Sequence, residues 1–318
     1  MEIPITQSEE WRKLQNDLKE TSFFAETTNY QYLAILKSTP AGNYLYLPYG
    51  PVANNKQAMK LALQALNTLA KEHHAIFIRL EPQLENPNEY LPENAQKTKD
   101  LSPADTWVLD LTPDKPTIIA NFSQGTRTRY NTFAKKGLVV TKTKDLSEIK
   151  HLVDFQAQLF EKKHLTAYDE NYLKAELAQP FTTLYLVKYQ PETENDNNDA
   201  SDLPKKGQIL AASLFFDYQE TRYYMQSAAD YRYKKLPATV ALLTTAIFDA
   251  KEQGIKYFDF WGIAPDGAPE NHPWHGFTEF KKSFGGEARH YAGTYDIVLN
   301  PAKYRLYRVL LKVKKMLK

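Results

Sequence analysis

Along this chain the apolar positions change period repeatedly, from the two-residue alternation of strands to the three-or-four-residue spacing of helices. Residues 8–20 (SEEWRKLQNDLKE) predict a first helix capped by Ser8, and residues 28–38 and 43–50 predict strands, the second ended by Pro48, Gly50 and Pro51. Residues 56–73 (KQAMKLALQALNTLAKEH) predict a helix whose apolar face is Ala58, Leu61, Ala65 and Leu69, widened by Ala62 and Leu66. It leads into an apolar strand at 75–82, AIFIRLEP. A similar unit recurs later: a strand at 221–228, a helix at 237–254 with Val240, Leu243 and Ile247 inward and Gly254 at its end, then a strand at 256–263. Alternation of this kind predicts an α/β or mixed α+β architecture, and two such units suggest a duplicated domain. Between them, residues 191–207 (PETENDNNDASDLPKKG) are acidic and lack apolar bulk, so a solvated surface loop is expected.

A length of 318 residues suits about two domains. The 21 Tyr and 16 Phe are many for that length and point to aromatic-lined grooves. The chain has no Cys, which excludes disulfides, thiol nucleophiles and thiolate metal sites. The start, MEIPITQSEEW, lacks a signal-peptide core, and no apolar run is long enough to span a bilayer, so a chain that is neither secreted nor membrane-spanning is expected.

Net charge is only +2, but its distribution is uneven. From Lys115 to Lys144 there is no acid, while Arg127, Arg129, Lys135, Lys136, Lys142 and Lys144 accumulate; such a run is either a solvated helix face or a surface that neutralises phosphates. From Lys303 to Lys318 there is again no acid, and Leu306, Leu310, Val313 and Leu317 fall at helical spacing. That basic amphipathic helix could lie on an anionic membrane, track RNA, or dock on the protein's own core.

Four segments then occur in order: LYLPYGPV at 45–52 with IRLEP at 78–82; RTRYNTFAKKG from Arg127 to Gly137; FDFWGI at 258–263; and FTEFKKSFGGEARHYAGTYD at 277–296. In this order, and with the F-K-x-x-F-G-G pattern, the chain resembles the Fem family of peptidoglycan bridge-forming aminoacyltransferases over nearly its full length. The resemblance implies two acetyltransferase-like domains in tandem, each a mixed central sheet flanked by helices and without the long helical arm of many relatives. The expected division is 1–144, with 298–318 packing back on it, and 145–297.

For the site, the resemblance implies Lys281 near the transferred aminoacyl group, beside the aromatic Phe280. A positioned ammonium can stabilise the oxyanion of a tetrahedral intermediate. The acceptor is expected along a groove touched by Tyr168, Tyr172 and Tyr233. Tyr168 stands where relatives have an Arg, and a phenol cannot grip phosphate as a guanidinium does. For Tyr233 ordinary core packing is the alternative. Arg127 and Arg129 are the candidates for RNA or phosphate contact. Asp259, among aromatics on the strand expected at 256–263, is either a structural acceptor or a catalytic group. The relatives' lysine near the chain start has no clear counterpart; Lys37 is nearby. His272 and His275 flank Trp274 without the spacing of a zinc site.

Neither Cys nor a G-x-S-x-G elbow is present, so the expected chemistry is direct aminolysis of aminoacyl-tRNA by the stem-peptide amine of a nucleotide-linked or lipid-linked muramyl pentapeptide. Aminoacyl-tRNA is the co-substrate, with no cofactor or metal. A cytoplasmic location is expected, at the inner membrane face if 303–318 meets anionic lipid. The rival functions are an acetyl-CoA-type N-acyltransferase, although no pyrophosphate loop precedes either main helix; a non-catalytic tRNA- or envelope-binding module; and an aminoacyl-tRNA-protein transferase.

Overall fold

The computed structural model describes residues 2–163, 168–192 and 203–316. Most of the expected acidic loop, residues 193–202, lies outside the described residues. The chain divides into two compact units, Met1–Ala104 with His290–Lys318, and Asp105–Arg289. The first runs α1 (Glu9–Asp17), β1 (Ser22–Glu26), β2 (Tyr30–Thr39), β3 (Gly42–Leu47), β4 (Val52–Ala53), α2 (Lys56–Glu72), β5 (Ala75–Leu80), α3 (Pro87–Tyr90) and β6 (Ala95–Lys97). The second runs β7 (Asp105–Asp110), α4 (Lys115–Asn121), α5 (Gln124–Thr132), β8 (Leu138–Thr143), α6 (Ile149–Lys163), α7 (Glu170–Ala178), β9 (Thr182–Tyr189), β10 (Ile209–Tyr218), β11 (Thr221–Ala229), α8 (Ala238–Glu252), β12 (Tyr257–Gly262), α9 (His275–Lys282) and β13 (Glu287–His290). The chain then returns to the first unit with β14 (Tyr295–Val298) and α10 (Pro301–Met316).

The first sheet has the order β1-β2-β3-β5-β14-β6, with β4 on β2. Among the described residues only β3 and β5 pair in parallel in it, Leu45 opposite Ile78 and Leu47 opposite Leu80, because α2 carries the chain back between them. Ser8 caps α1 as expected, its side chain accepting the Trp11 N–H. The buried face of α2 is rotated from the predicted one. Ala58, Met59, Ala62, Leu66 and Ala70 are buried, whereas Leu61 is exposed. Small residues take the line of closest approach to the sheet, and the bulkier Leu63 and Leu69 pack along its margin.

The glycine of LYLPYGPV has a packing reason. A Cβ on Gly50 would sit 2.1 Å from the side chain of Gln7. That buried glutamine donates to Pro48 O at 2.8 Å and accepts the Leu33 N–H at 2.9 Å, tying the turn to β2. On the other face of β5, Arg79 forms a bidentate pair with Asp296 of β14, both contacts 2.7 Å and both side chains buried. Tyr304 Oη donates to Asp296 at 2.7 Å, and Arg79 donates to Tyr307 Oη at 3.2 Å. So α10 does pack on this unit, through Tyr304 and Tyr307 against Phe77. It does not use the expected leucine face: Leu306, Leu310 and Val313 are exposed, and Leu317 lies outside the described residues.

The second sheet has the order β13-β7-β12-β11-β10-β9-β8. Its one parallel pair with a given register is β11–β12, joined by α8. Val240, Leu243 and Ile247 are buried as predicted, and so are Ala241, Leu242 and Ala246, because α5 covers α8 on a face the sheet does not reach. The units divide at 104/105 and 289/290, rather than at the predicted 144/145 and 297/298. Strand β7 pairs with β12 and β8 pairs with β9, so the stretch 105–143 belongs to the second sheet.

Candidate functional site

Residues 277–286, which hold the predicted Phe280 and Lys281, bond to the end of β12 and the segment after it. This strand lies inside the second sheet, between β11 and β7. Its register against β7 slips between Asp259 and Gly262, a bulge that takes Phe260 and Trp261 out of the ladder. Trp261 adopts a left-handed backbone, φ 65°, and its N–H is held by Asp259 Oδ1 at 2.7 Å. A non-glycine residue costs about 1–3 kcal/mol there and persists only where its surroundings impose it. Asp259 is buried beside Tyr223, its register partner on β11, whose ring meets Trp261 edge-on at 6.1 Å.

Helix α9 docks against this bulge. Thr278 Oγ1 accepts the Ala264 N–H at 2.8 Å and donates to Trp274 O at 2.9 Å, which pins the helix to the segment after β12. One turn on, Lys281 Nζ donates to Gly262 O at 2.5 Å. Burial lowers the Lys281 ammonium to about 8, with the Asp259 charge opposing the fall. An ammonium has three N–H donors and only one is directed at Gly262 O, so this group can both donate hydrogen bonds and exchange a proton near neutral pH. Phe280 packs edge-on against Phe284 of the core at 5.2 Å. The FGG glycine has a steric reason: at Gly286, φ 99°, a Cβ would lie 2.4 Å from Val108 O on β7.

The other predicted residues come from elements other than α9. Tyr168, just before α7, and Tyr172, on it, stack with rings 5.5 Å apart. One turn beyond Tyr172, Glu176 is wholly buried, and burial pushes its carboxyl up to about 8 against the opposing effect of Tyr172 and Gln226. Tyr233 is partly buried against the core of the second unit, with Arg232 over its ring at 5.6 Å. Arg127 donates to Ala120 O at 2.8 Å and to Phe122 O, capping the carbonyl end of α4. Arg129, one turn above Gly125, is exposed. Lys37 pairs with Glu20 at 2.8 Å. Sequence reasoning passed over Trp261, Thr278, Tyr223 and Glu176; spacing signals two of them, since Thr278 stands three residues before Lys281 and Glu176 four after Tyr172.

From the end of β9 to α10, residues 188–312 match the FemAB family. The FemAB segment holds Tyr233, Asp259, Phe280 and Lys281, and leaves out Arg127, Arg129, Tyr168 and Tyr172. Among curated proteins, the aminoacyltransferase FemA of Staphylococcus epidermidis is 30% identical over 107 residues, 34% of this chain and 25% of the relative. The match thus spans about a quarter of the curated relative. Among solved structures, a FemX crystal structure superposes with a TM-score of 0.80 at 17% identity, covering 95% of this chain and 94% of that one. The structure of L-PGS from Bacillus licheniformis superposes at 0.59 and 16% identity, covering 98% of each chain. These two likenesses establish the shared α/β fold of two mixed sheets.

Proposed function

We propose that this chain transfers an aminoacyl group from aminoacyl-tRNA to an amine on the stem peptide of a peptidoglycan precursor. The FemAB segment supports the reaction class, since the matching Staphylococcus epidermidis relative carries the name aminoacyltransferase. The observation that carries it is the partly buried Lys281 ammonium, anchored on Gly262 O at the bulge of β12 beside Asp259. In this reaction the acceptor nitrogen attacks the ester carbonyl. A C–N bond forms, the C–O bond to the tRNA ribose breaks, and the amine proton passes to the departing hydroxyl. Lys281 donates to the oxyanion as charge develops, a role worth about 10²–10³ in rate. Phe280 anchors α9 in the core and so sets where Lys281 stands. Tyr168, Tyr172 and Tyr233 are assigned to the acceptor and Arg129 to the tRNA backbone. Arg127 is assigned instead to holding α4 and α5 together, because its guanidinium is engaged by Ala120 O and Phe122 O. Aminoacyl-tRNA serves as co-substrate and no separate cofactor is invoked.

The test is transfer of labelled amino acids from a pool of aminoacyl-tRNAs to nucleotide-linked and lipid-linked muramyl pentapeptides. Lys281→Ala is expected to lower kcat by about 10²–10³ with little change in KM. Because the protonated lysine is the acting form, wild-type activity should fall as pH rises through about 8, and the variant should lose that limb. Absence of transfer to either acceptor, or full activity in the variant, refutes the proposal.

A further inference from the structure

Helix α10 turns its aromatic residues inward and its aliphatic residues outward. Tyr304 and Tyr307 dock on β5, while Leu306, Val309, Leu310 and Val313 are 48%, 55%, 36% and 46% exposed. At about 100° per residue these four fall within an arc of roughly 100°, on the side of the helix away from the two tyrosines. Cations flank that stripe on both sides: Arg305 and Lys312 along one edge, with Arg308 behind them over the Tyr304 ring, and Lys303 and Lys314 along the other, all exposed. No acid occurs from Lys303 to Lys318.

The first edge borders a groove of about 570 Å³ lined by Asn94, Gln96, Tyr304, Arg305, Arg308 and Lys312 among others, and no carboxylate lines it. The buried Asp296, which accepts from Tyr304 of the groove, is also engaged by Arg79. The groove is therefore electropositive, with the Asn94 and Gln96 amides able to donate to an anion.

We infer that the outward face of α10 binds an anionic phospholipid surface, with Leu306, Val309, Leu310 and Val313 entering the acyl boundary and Arg305, Arg308 and Lys312 holding phosphate headgroups. Charge complementarity fixes the sign of the surface, and the aliphatic stripe fixes its class. RNA would reward the same cations through its phosphates, but single-stranded recognition uses exposed aromatic platforms. On α10 the aromatics are buried and the exposed groups are aliphatic, which a bilayer interface rewards and a nucleic acid does not. The inference does not depend on the proposed transfer reaction, and its test involves no transfer.

The full chain is mixed with vesicles of phosphatidylglycerol and phosphatidylcholine, or of phosphatidylcholine alone, and sedimented. Binding is expected to the anionic vesicles, to weaken with salt, and to be slight on phosphatidylcholine. Each cation near such a surface contributes about fivefold, so Arg305→Gln/Arg308→Gln/Lys312→Gln should weaken binding by about 100-fold. Val309→Ser/Val313→Ser should weaken it by about tenfold while leaving binding of a structured RNA unchanged. All five side chains are exposed, so unchanged circular dichroism and melting are expected and confirm folding. No sedimentation with anionic vesicles overturns the inference. So does wild-type vesicle binding by the valine variant, and if the cation variant then loses RNA the face is an RNA site instead.

Discussion

Glu176 offers the sharpest test of the electrostatics inside the second unit. It lies on α7 with no exposed surface, and burial carries its carboxyl from an ordinary 4.5 to about 8. The sign follows from proton linkage. Between those two values the folded chain keeps a proton that the unfolded chain has released, so stability is full below about 4.5 and falls as pH rises to about 8. At about 1.4 kcal/mol per tenfold change in proton affinity the whole interval amounts to about 5 kcal/mol. Local relaxation and water entry reduce this to about 2–3 kcal/mol. Glu176→Gln keeps the shape of the protonated carboxyl and cannot ionise. Urea unfolding followed by circular dichroism at pH 5 and pH 8 should therefore give nearly equal stabilities at pH 5 and a variant more stable by about 2–3 kcal/mol at pH 8. Parallel loss of stability in the two proteins between pH 5 and pH 8 would refute the reasoning, because it would place the titrating group elsewhere.

Two further expectations concern packing. Asp296→Asn removes the charge facing the buried Arg79, whose guanidinium burial would lower but this carboxylate holds above its ordinary value, and should cost about 3–5 kcal/mol in urea unfolding; adding Arg79→Met should recover part of the loss, and no recovery would show that the pair is not the source. Gly286→Ala forces a Cβ to 2.4 Å from Val108 O, whereas Gly254→Ala, at a similar positive φ, meets nothing within 4 Å. Gly254→Ala should cost about 1 kcal/mol and Gly286→Ala about 3 kcal/mol or more, and equal midpoints would remove the clash as the reason for the FGG glycine.

What the sequence made legible was local. The strand–helix–strand units around α2 and α8 appeared because amphipathic periods need no knowledge of a partner. The buried side of α2 was misjudged because a partner decides it. The sheet approaches along Ala58, Ala62, Leu66 and Ala70, and the hydrophobic count alone favours the row through Leu61 and Leu69. The boundary between units was misplaced for the same reason, since nothing in the residues of β7 says that it pairs with β12, far along the chain. Arg79 and Asp296 lie in two of the segments that carry the family resemblance, 217 residues apart. Their meeting explains part of that resemblance as stability rather than catalysis.

At the site, sequence identified a lysine and an aromatic but not the geometry that positions them. The bulge at Phe260 and Trp261 depends on a tryptophan in left-handed backbone, which propensity disfavours and only the Asp259 carboxylate makes reasonable. Asp259 was legible as structural or catalytic, and it does the structural task while lying near enough to bias the charge of Lys281. Arg127 and Arg129 look alike in sequence, yet the first is occupied by the carbonyls of α4 and the second faces solvent. Helix α10 makes the same point in reverse. Its leucines have the spacing of a core-facing helix, but the tyrosines dock because their hydroxyls reach Asp296 and Arg79 in an interior that would otherwise bury that ion pair with fewer partners. The aliphatic stripe is thereby turned outward. An exposed stripe edged by cations is the pattern of an interfacial helix, so the polar demand of one buried salt bridge determines which surface the chain presents.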